Sequence, residues 1–297
     1  MPAITLQAPA KVNLAFEVLG RRTDGYHEVR TVLQAVGLAD VLTLEPADTL
    51  SLVVEPLGSA PVDGNLVLRA AEALREATGC AQGAAMHLVK RIPTAGGLGG
   101  GSSDAAAALT GLRRLWGLRL DDAALAVIAA RLGSDVPFFL RSCTALGTGR
   151  GEVLSSLPAP AEGWVVIAAP PSGGPADKTA NMYGLLTPSD FTDGEATRAL
   201  EARLRAGQPV DGALVNAFGP VAARAFTPVA PMLVLLAEDG ARQALVSGAG
   251  PCCFALCRER AGAEALASRV RDAGYHGWAA PLLPAWGTEG LAAQEES

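Results

Sequence analysis

The chain has 297 residues, 49% hydrophobic and 18% charged, which suits a large buried core and excludes a disordered chain. With 24 Lys and Arg against 30 Asp and Glu the formal charge is -6, which excludes the broad basic field that polymeric nucleic acid requires. The five cysteines (Cys80, Cys143, Cys252, Cys253 and Cys257) form no Cys-x-x-Cys pair and read as small buried hydrophobes of a reducing compartment. No stretch approaches the ~18 apolar residues of a membrane span, and the start lacks a basic region followed by an apolar run. The expectation is a cytoplasmic protein without a membrane or nucleic-acid partner.

Residues 4–19 alternate and are rich in β-formers, so they read as a strand, and 31–44 read as one or two more. The turn between them, Arg21-Arg22-Thr23-Asp24-Gly25-Tyr26-His27, is punctuated by Asp-Gly. Residues 65–78 carry Leu66, Ala70, Ala73, Leu74 and Ala77 at helical spacing, and Gly79 stops them. A strand at 84–89 leads into the densest glycine segment of the chain, and an alanine-rich helix follows to about Trp116. A further helix at 121–132 opens on acidic residues and ends at Gly133.

Pro158, Pro160 and Gly163 read as a linker that divides the chain into domains 1–157 and 158–297. The second half opens on an apolar strand at 164–169. It then shows helices near 194–206, 213–226 and 261–273, with strands near 244–247 and 253–257. Strands that alternate rather than run uniformly apolar, intermixed with helices, point to an α+β protein rather than a doubly wound parallel sheet.

Three segments carry chemistry. Pro93-Thr94-Ala95-Gly96-Gly97-Leu98-Gly99-Gly100-Gly101-Ser102-Ser103 lies between a strand and a helix, with Ser102 or Ser103 at the helix start. Its glycines allow close backbone approach and inward N–H groups, and the helix adds its positive end, so the loop suits a polyphosphate. It is neither a Walker loop nor a dinucleotide fingerprint, because Gly-Lys-Ser/Thr and the last required glycine are both absent. Ala8-Pro9-Ala10-Lys11-Val12-Asn13-Leu14 puts Lys11 and Asn13 on one face of an apolar strand. By itself that reads better as an exposed lysine on an edge strand. Gly133-Ser134-Asp135-Val136-Pro137 sets a carboxylate at a tight turn, where a turn cap is the plain alternative. Ser247-Gly248-Ala249-Gly250-Pro251 is a second small-residue turn.

In this order the segments resemble the three motifs of the GHMP kinase family: a strand bearing Lys11, the loop at Pro93 to Ser103, and the turn at Ser247 to Pro251. Asp24-Gly25-Tyr26-His27 and Gly133-Ser134-Asp135-Val136-Pro137-Phe138 resemble the branch acting on a cytidyl-diphosphate-linked methylerythritol. The resemblance implies an N-terminal domain with a left-handed βαβ crossover and a ferredoxin-like C-terminal domain. It also implies ATP and Mg²⁺ as cofactors, and transfer of the γ-phosphate to the C2 hydroxyl of that polyol, in the methylerythritol phosphate route to isoprenoids.

The residue roles are implied in the same way. Lys11 and Asp135 match the catalytic cation and base. The loop Pro93 to Ser103 matches the phosphate site, with Asn65 and Lys90 near the adenine. Tyr26 and His27 match the cytosine site, Asn13 the polyol or diphosphate, and Gly248 and Gly250 the reacting end. The metal ligands stay undetermined. One departure is that no aromatic residue opens the second half before Tyr183. Either Tyr183 reaches in to the base, or proline and backbone of residues 170–179 cover its second face; the second is the expectation, with Tyr183 packed inward on a short helix.

Overall fold

The computed structural model describes residues 2–56, 60–141, 143–160, 163–171, 178–210, 212–237 and 243–284. Strand β1 (Ile4–Arg21) and strand β2 (His27–Ala47) form a long antiparallel hairpin across the turn at residues 22–26. Strand β3 (Leu50–Glu55), helix α1 (Leu66–Thr78) and strand β4 (Gly83–Val89) follow, and β3 and β4 are parallel neighbours bridged by α1. Asn65 caps α1 by accepting from the Val67 N–H, and Gly79 ends it at φ 69°, as its position predicts.

Helices α2 (Gly100–Leu115), α3 (Asp122–Leu132) and α4 (Val136–Arg141) then lead into strands β5 (Thr144–Thr148) and β6 (Val153–Ser156). The second half contains β7 (Trp164–Ala169), α5 (Lys178–Gly184), α6 (Glu195–Arg205), β8 (Val215–Asn216) and α7 (Gly219–Ala225). It ends with α8 (Val229–Ala237), β9 (Ala244–Val246), β10 (Cys253–Cys257), α9 (Arg260–Asp272) and β11 (His276–Pro281).

The seven-stranded sheet runs β3-β4-β2-β1-β8, with β5 also on β2 and β6 on β5. The four-stranded sheet runs β11-β7-β10-β9, all antiparallel. That order, with the fourth and first strands at one side and helices α5 to α8 and α9 in the crossovers, is the ferredoxin-like arrangement. The helix expected at 213–226 is divided. Residues 215–216 join the first sheet beside Ala15 and Phe16, and the helix starts only at Gly219-Pro220, where proline is at home in a first turn. The second half therefore reaches back into the first sheet, across the boundary at 157.

Three apolar clusters separate four layers. One lies between the first sheet and α1 to α4 (Leu6, Leu42, Leu74, Leu109), one between the sheets (Val12, Leu14, Ile167, Phe254), and one between the second sheet and α8 and α9 (Val166, Met232, Val270). Leu6 and Ala8 belong to the first cluster, whereas Ala10, Val12 and Leu14 belong to the second. The register shift between Pro9 and Ala10 explains the change of face. Beyond it, Lys11 and Asn13 point to the side where α2 begins.

Candidate active site

Leaving β4, the chain is pinned by Asp40, whose carboxylate accepts from the Arg91 and Ile92 N–H groups. Lys90 donates to Asp40 and, at 2.7 Å, to Asp104 of α2. Burial pulls the Lys90 ammonium down, but Asp104 and Asp40 outweigh it and raise its pKa. The loop then passes through Ala95 (φ 53°), Gly97 (φ 88°) and Gly99 (φ 72°), conformations that favour glycine. Gly99 is the N-cap of α2 and offers no side chain to the N–H groups of the first turn. Those donors are left for an anion at the positive helix end. The helix starts at Gly100, two or three residues earlier than the expected start at Ser102 or Ser103. Ser102 faces the cavity, whereas Ser103 is buried beneath it, its hydroxyl unpartnered.

Lys11 is not on an open edge: β1 runs beside β2, its outer side meets β8 at residues 15–16, and at Lys11 itself the backbone N–H donates to the Leu98 carbonyl of the loop (2.9 Å), so the residue is 4% exposed. Its Nζ donates to Asn13 Oδ1 (2.8 Å) and to the Gly97 carbonyl (2.9 Å), and stands 3.7 Å from Asp135 Oδ2. Burial lowers its pKa, with Asp135 opposing. Asp135 enters from the turn between α3 and α4 and stays partly open to the cavity, its side chain 35% exposed. The plain turn cap is thus a carboxylate aimed at the buried ammonium.

The far wall is aromatic. Tyr26 is 56% exposed, with the Arg150 guanidinium 4.7 Å over its ring. His27 stacks on Tyr183 at 5.0 Å and 27°, with Phe191 edge-on at 5.9 Å. Burial and then Arg21 lower the His27 pKa, so the ring is a neutral hydrogen-bonding group near neutral pH. Tyr183 packs edge-on against Phe218 and still lines the cavity, contrary to the expected inward burial. Residues 172–177, expected to cover the base, lie outside the described residues.

The turn after β9 closes the site from the second half. Ser247 Oγ donates to the Gly97 carbonyl (3.0 Å), and the Cys252 N–H donates to the Gly96 carbonyl (3.1 Å). Gly248 lines the cavity, whereas Gly250 sits behind it against Val246 and Ala222. Asn65 lines the cavity while serving as a helix cap, bonded to Val67 and to the Pro61 carbonyl. Sequence reasoning set Tyr183 as a wall residue second to an inward-packed one, and it missed Thr31 and Arg150 on the wall and Ser247 behind it. Only Ser247, in the small-residue turn, carried a signal.

The cavity that unites these groups measures about 1480 Å³. Single small-ligand pockets measure roughly 300–1,000 Å³, so there is room for two substrates. An anion cradle, a buried ammonium, a carboxylate and an aromatic ledge share it, a set suited to moving a phosphoryl group between ligands.

The model for the GHMP kinases N terminal domain matches residues 65–142, and that for the GHMP kinases C terminal matches 198–276. A 4-diphosphocytidyl-2-C-methyl-D-erythritol kinase of Symbiobacterium thermophilum is 41% identical over 281 residues, covering 94% of this chain and 99% of its own. One of Dehalococcoides mccartyi is 39% identical over 280 residues, covering 94% and 98%. A crystal structure of 4-(cytidine 5'-diphospho)-2C-methyl-D-erythritol kinase superposes with a TM-score of 0.79 at 36% identity, over 94% of this chain and 98% of that one. Homoserine kinase from Cytophaga hutchinsonii shares the fold at a TM-score of 0.76 and 19% identity, over 97% and 96%. The family models, the near full-length relatives and the site built on Lys11, Asp135 and the glycine loop agree: the chain belongs to the GHMP kinase family.

Proposed function

We propose that this protein transfers the γ-phosphoryl group of ATP to the C2 hydroxyl of 4-diphosphocytidyl-2-C-methyl-D-erythritol. The observation that carries the reading is the meeting of Lys11 and Asp135 beside the glycine loop, in one cavity with Tyr26 and His27. Relatives near 40% identity over almost the whole chain bear that enzyme's name. Asp135 takes the hydroxyl proton, the alcohol oxygen bonds to the γ-phosphorus, and the bond to the β-phosphate oxygen breaks, leaving ADP. Lys11 pairs with Asp135 and offsets charge on the transferring group. The N–H groups of the first turn of α2 hold the phosphates, with Asn65 and Lys90 beside the adenine. Tyr26 supplies a stacking face for cytosine and His27 meets its polar edge, with Tyr183 backing His27. Asn13 and Gly248 border the polyol.

Among the described residues no group of three or more His, Cys, Asp or Glu suits a metal. Mg²⁺ needs only one or two protein oxygens beside phosphate and water, and the Ser102 hydroxyl on the cavity wall fits that demand. Bound there, the ion would neutralise phosphate charge. Among the described residues no helix is long and apolar enough to cross a membrane, and we place the enzyme in the cytoplasm as part of the same proposal. The test is ADP release with Mg²⁺ and ATP on three alcohols. Turnover of the cytidyl substrate alone is expected; turnover of mevalonate or homoserine without it would assign the site to another small-alcohol kinase.

A further inference from the structure

Asn13 faces Lys11 through an amide that has two possible orientations, only one of which presents oxygen to the ammonium. A lysine ammonium has donors and no acceptor, so only the oxygen-first orientation attracts it. What holds that orientation lies on the neighbouring strand. Thr31 Oγ1 donates its single proton to the Ala15 carbonyl (2.7 Å), so toward Asn13 it can only accept. It accepts from Asn13 Nδ2 at 2.8 Å, which leaves Oδ1 facing Lys11 at 2.8 Å. Asn13 is 1% and Thr31 2% exposed, so water does not supply a substitute partner.

Resting on the reading of Lys11 and Asp135 as the reacting pair, we propose that Thr31 is a positioning residue that fixes the Asn13 amide and thereby aims Lys11. The relay runs from the Ala15 carbonyl through the Thr31 hydroxyl and the Asn13 amide to the ammonium. Thr31→Val keeps shape and removes the relay. The amide then loses its fixed orientation and the ammonium loses an acceptor that favours its charged form. Asp135 is the carboxylate the ammonium faces, and it stays in place.

The experiment compares wild type, Thr31→Val, Thr31→Ser, Lys11→Ala and Asp135→Asn across pH with ATP, Mg²⁺ and the cytidyl substrate. Thr31→Val should lower kcat roughly tenfold, the scale of one buried partner lost, with the KM for ATP unchanged. Its alkaline limb should move to lower pH, a shift that simple loosening of the fold would not cause, and Thr31→Ser should restore both. If valine prevents folding, Thr31→Ala poses the same question. Wild-type kcat and alkaline limb in the valine or alanine enzyme would overturn the proposal while Lys11→Ala and Asp135→Asn stay impaired. Full activity in those two would instead overturn the reading on which it rests.

Discussion

Three glycines of one loop should respond to alanine in sharply different ways. At Gly97 (φ 88°) a Cβ would overlap the Ser247 carbonyl oxygen, which is backbone and cannot swing aside. The left-handed conformation costs about 1–2 kcal/mol. Parting the loop from the turn forfeits the Ser247 bond to the Gly97 carbonyl, about 1 kcal/mol, and weakens the Lys11 bond, about 1.5–3 kcal/mol. Gly97→Ala should therefore lose about 4 kcal/mol, at the exceptional end for one residue. At Gly99 (φ 72°) the neighbours are Lys11 Cγ and Phe139 Cζ, both at 3.0 Å, and the lysine chain can give way. That variant should lose about 2 kcal/mol, mostly backbone strain, while kcat falls because Lys11 is displaced. Gly101 is helical and its nearest neighbour, Leu66 Cδ1, lies at ordinary contact, 3.5 Å, so alanine should gain about 0.5–1 kcal/mol. Urea unfolding of the three variants, with kcat and the KM for ATP, reads the order. Equal stability of Gly97→Ala and Gly101→Ala would refute the clamp between the loop and Ser247.

Asp135→Asn should lower kcat by about 10² to 10⁴ with both KM values nearly unchanged. Lys11→Ala should cost a similar factor, and losses that multiply fully in the double variant would show that the two do not act as a unit. Tyr26→Ala should weaken the cytidyl substrate by roughly 1–3 kcal/mol and spare ATP. Equal losses for both ligands would make the exposed ring a part of the fold. Burial, helped by the Asp40 carboxylate and opposed by the Lys90 ammonium, lifts Asp104 from 3.8 to about 7. Across that window the folded chain holds a proton the unfolded chain releases, so stability falls as pH rises. Asp104→Asn should flatten the slope of unfolding free energy between pH 4 and 7, and an unchanged slope would assign the titration to another group.

The loop was legible because its signals are local: strand, glycine run and alanine helix follow one another within residues 83–115. Lys11 was harder, because its burial depends on what covers β1. Beside Lys11 the cover is the glycine loop, whose Leu98 carbonyl accepts from the Lys11 N–H, and further along β1 it is the two-residue strand at 215–216, where Asn216 ties itself to the Val246 and Gly248 carbonyls instead of joining a helix. No window around Lys11 contains that information. Tyr183 was misread because a residue on a short helix can pack against Phe218 and still show its other face to His27. The Asn13–Thr31 relay stayed hidden because its members pair only through the register of β1 on β2. Helix α4, six residues with proline second, offers no period long enough to read.

Lys11 leaves the ribosome among the first residues, yet β8 beside its strand and the serine that grips Gly97 are made some two hundred residues later. At 5–20 residues per second that is about ten to forty seconds. Throughout it Ala10, Val12 and Leu14 wait for Ile167 and Phe254. A nascent chain in this interval carries an uncovered apolar sheet face and an unfinished catalytic centre. A gene ended after Leu157 would make that condition permanent, so the halves cannot be separated as working modules, and the first would survive only with a chaperone in attendance.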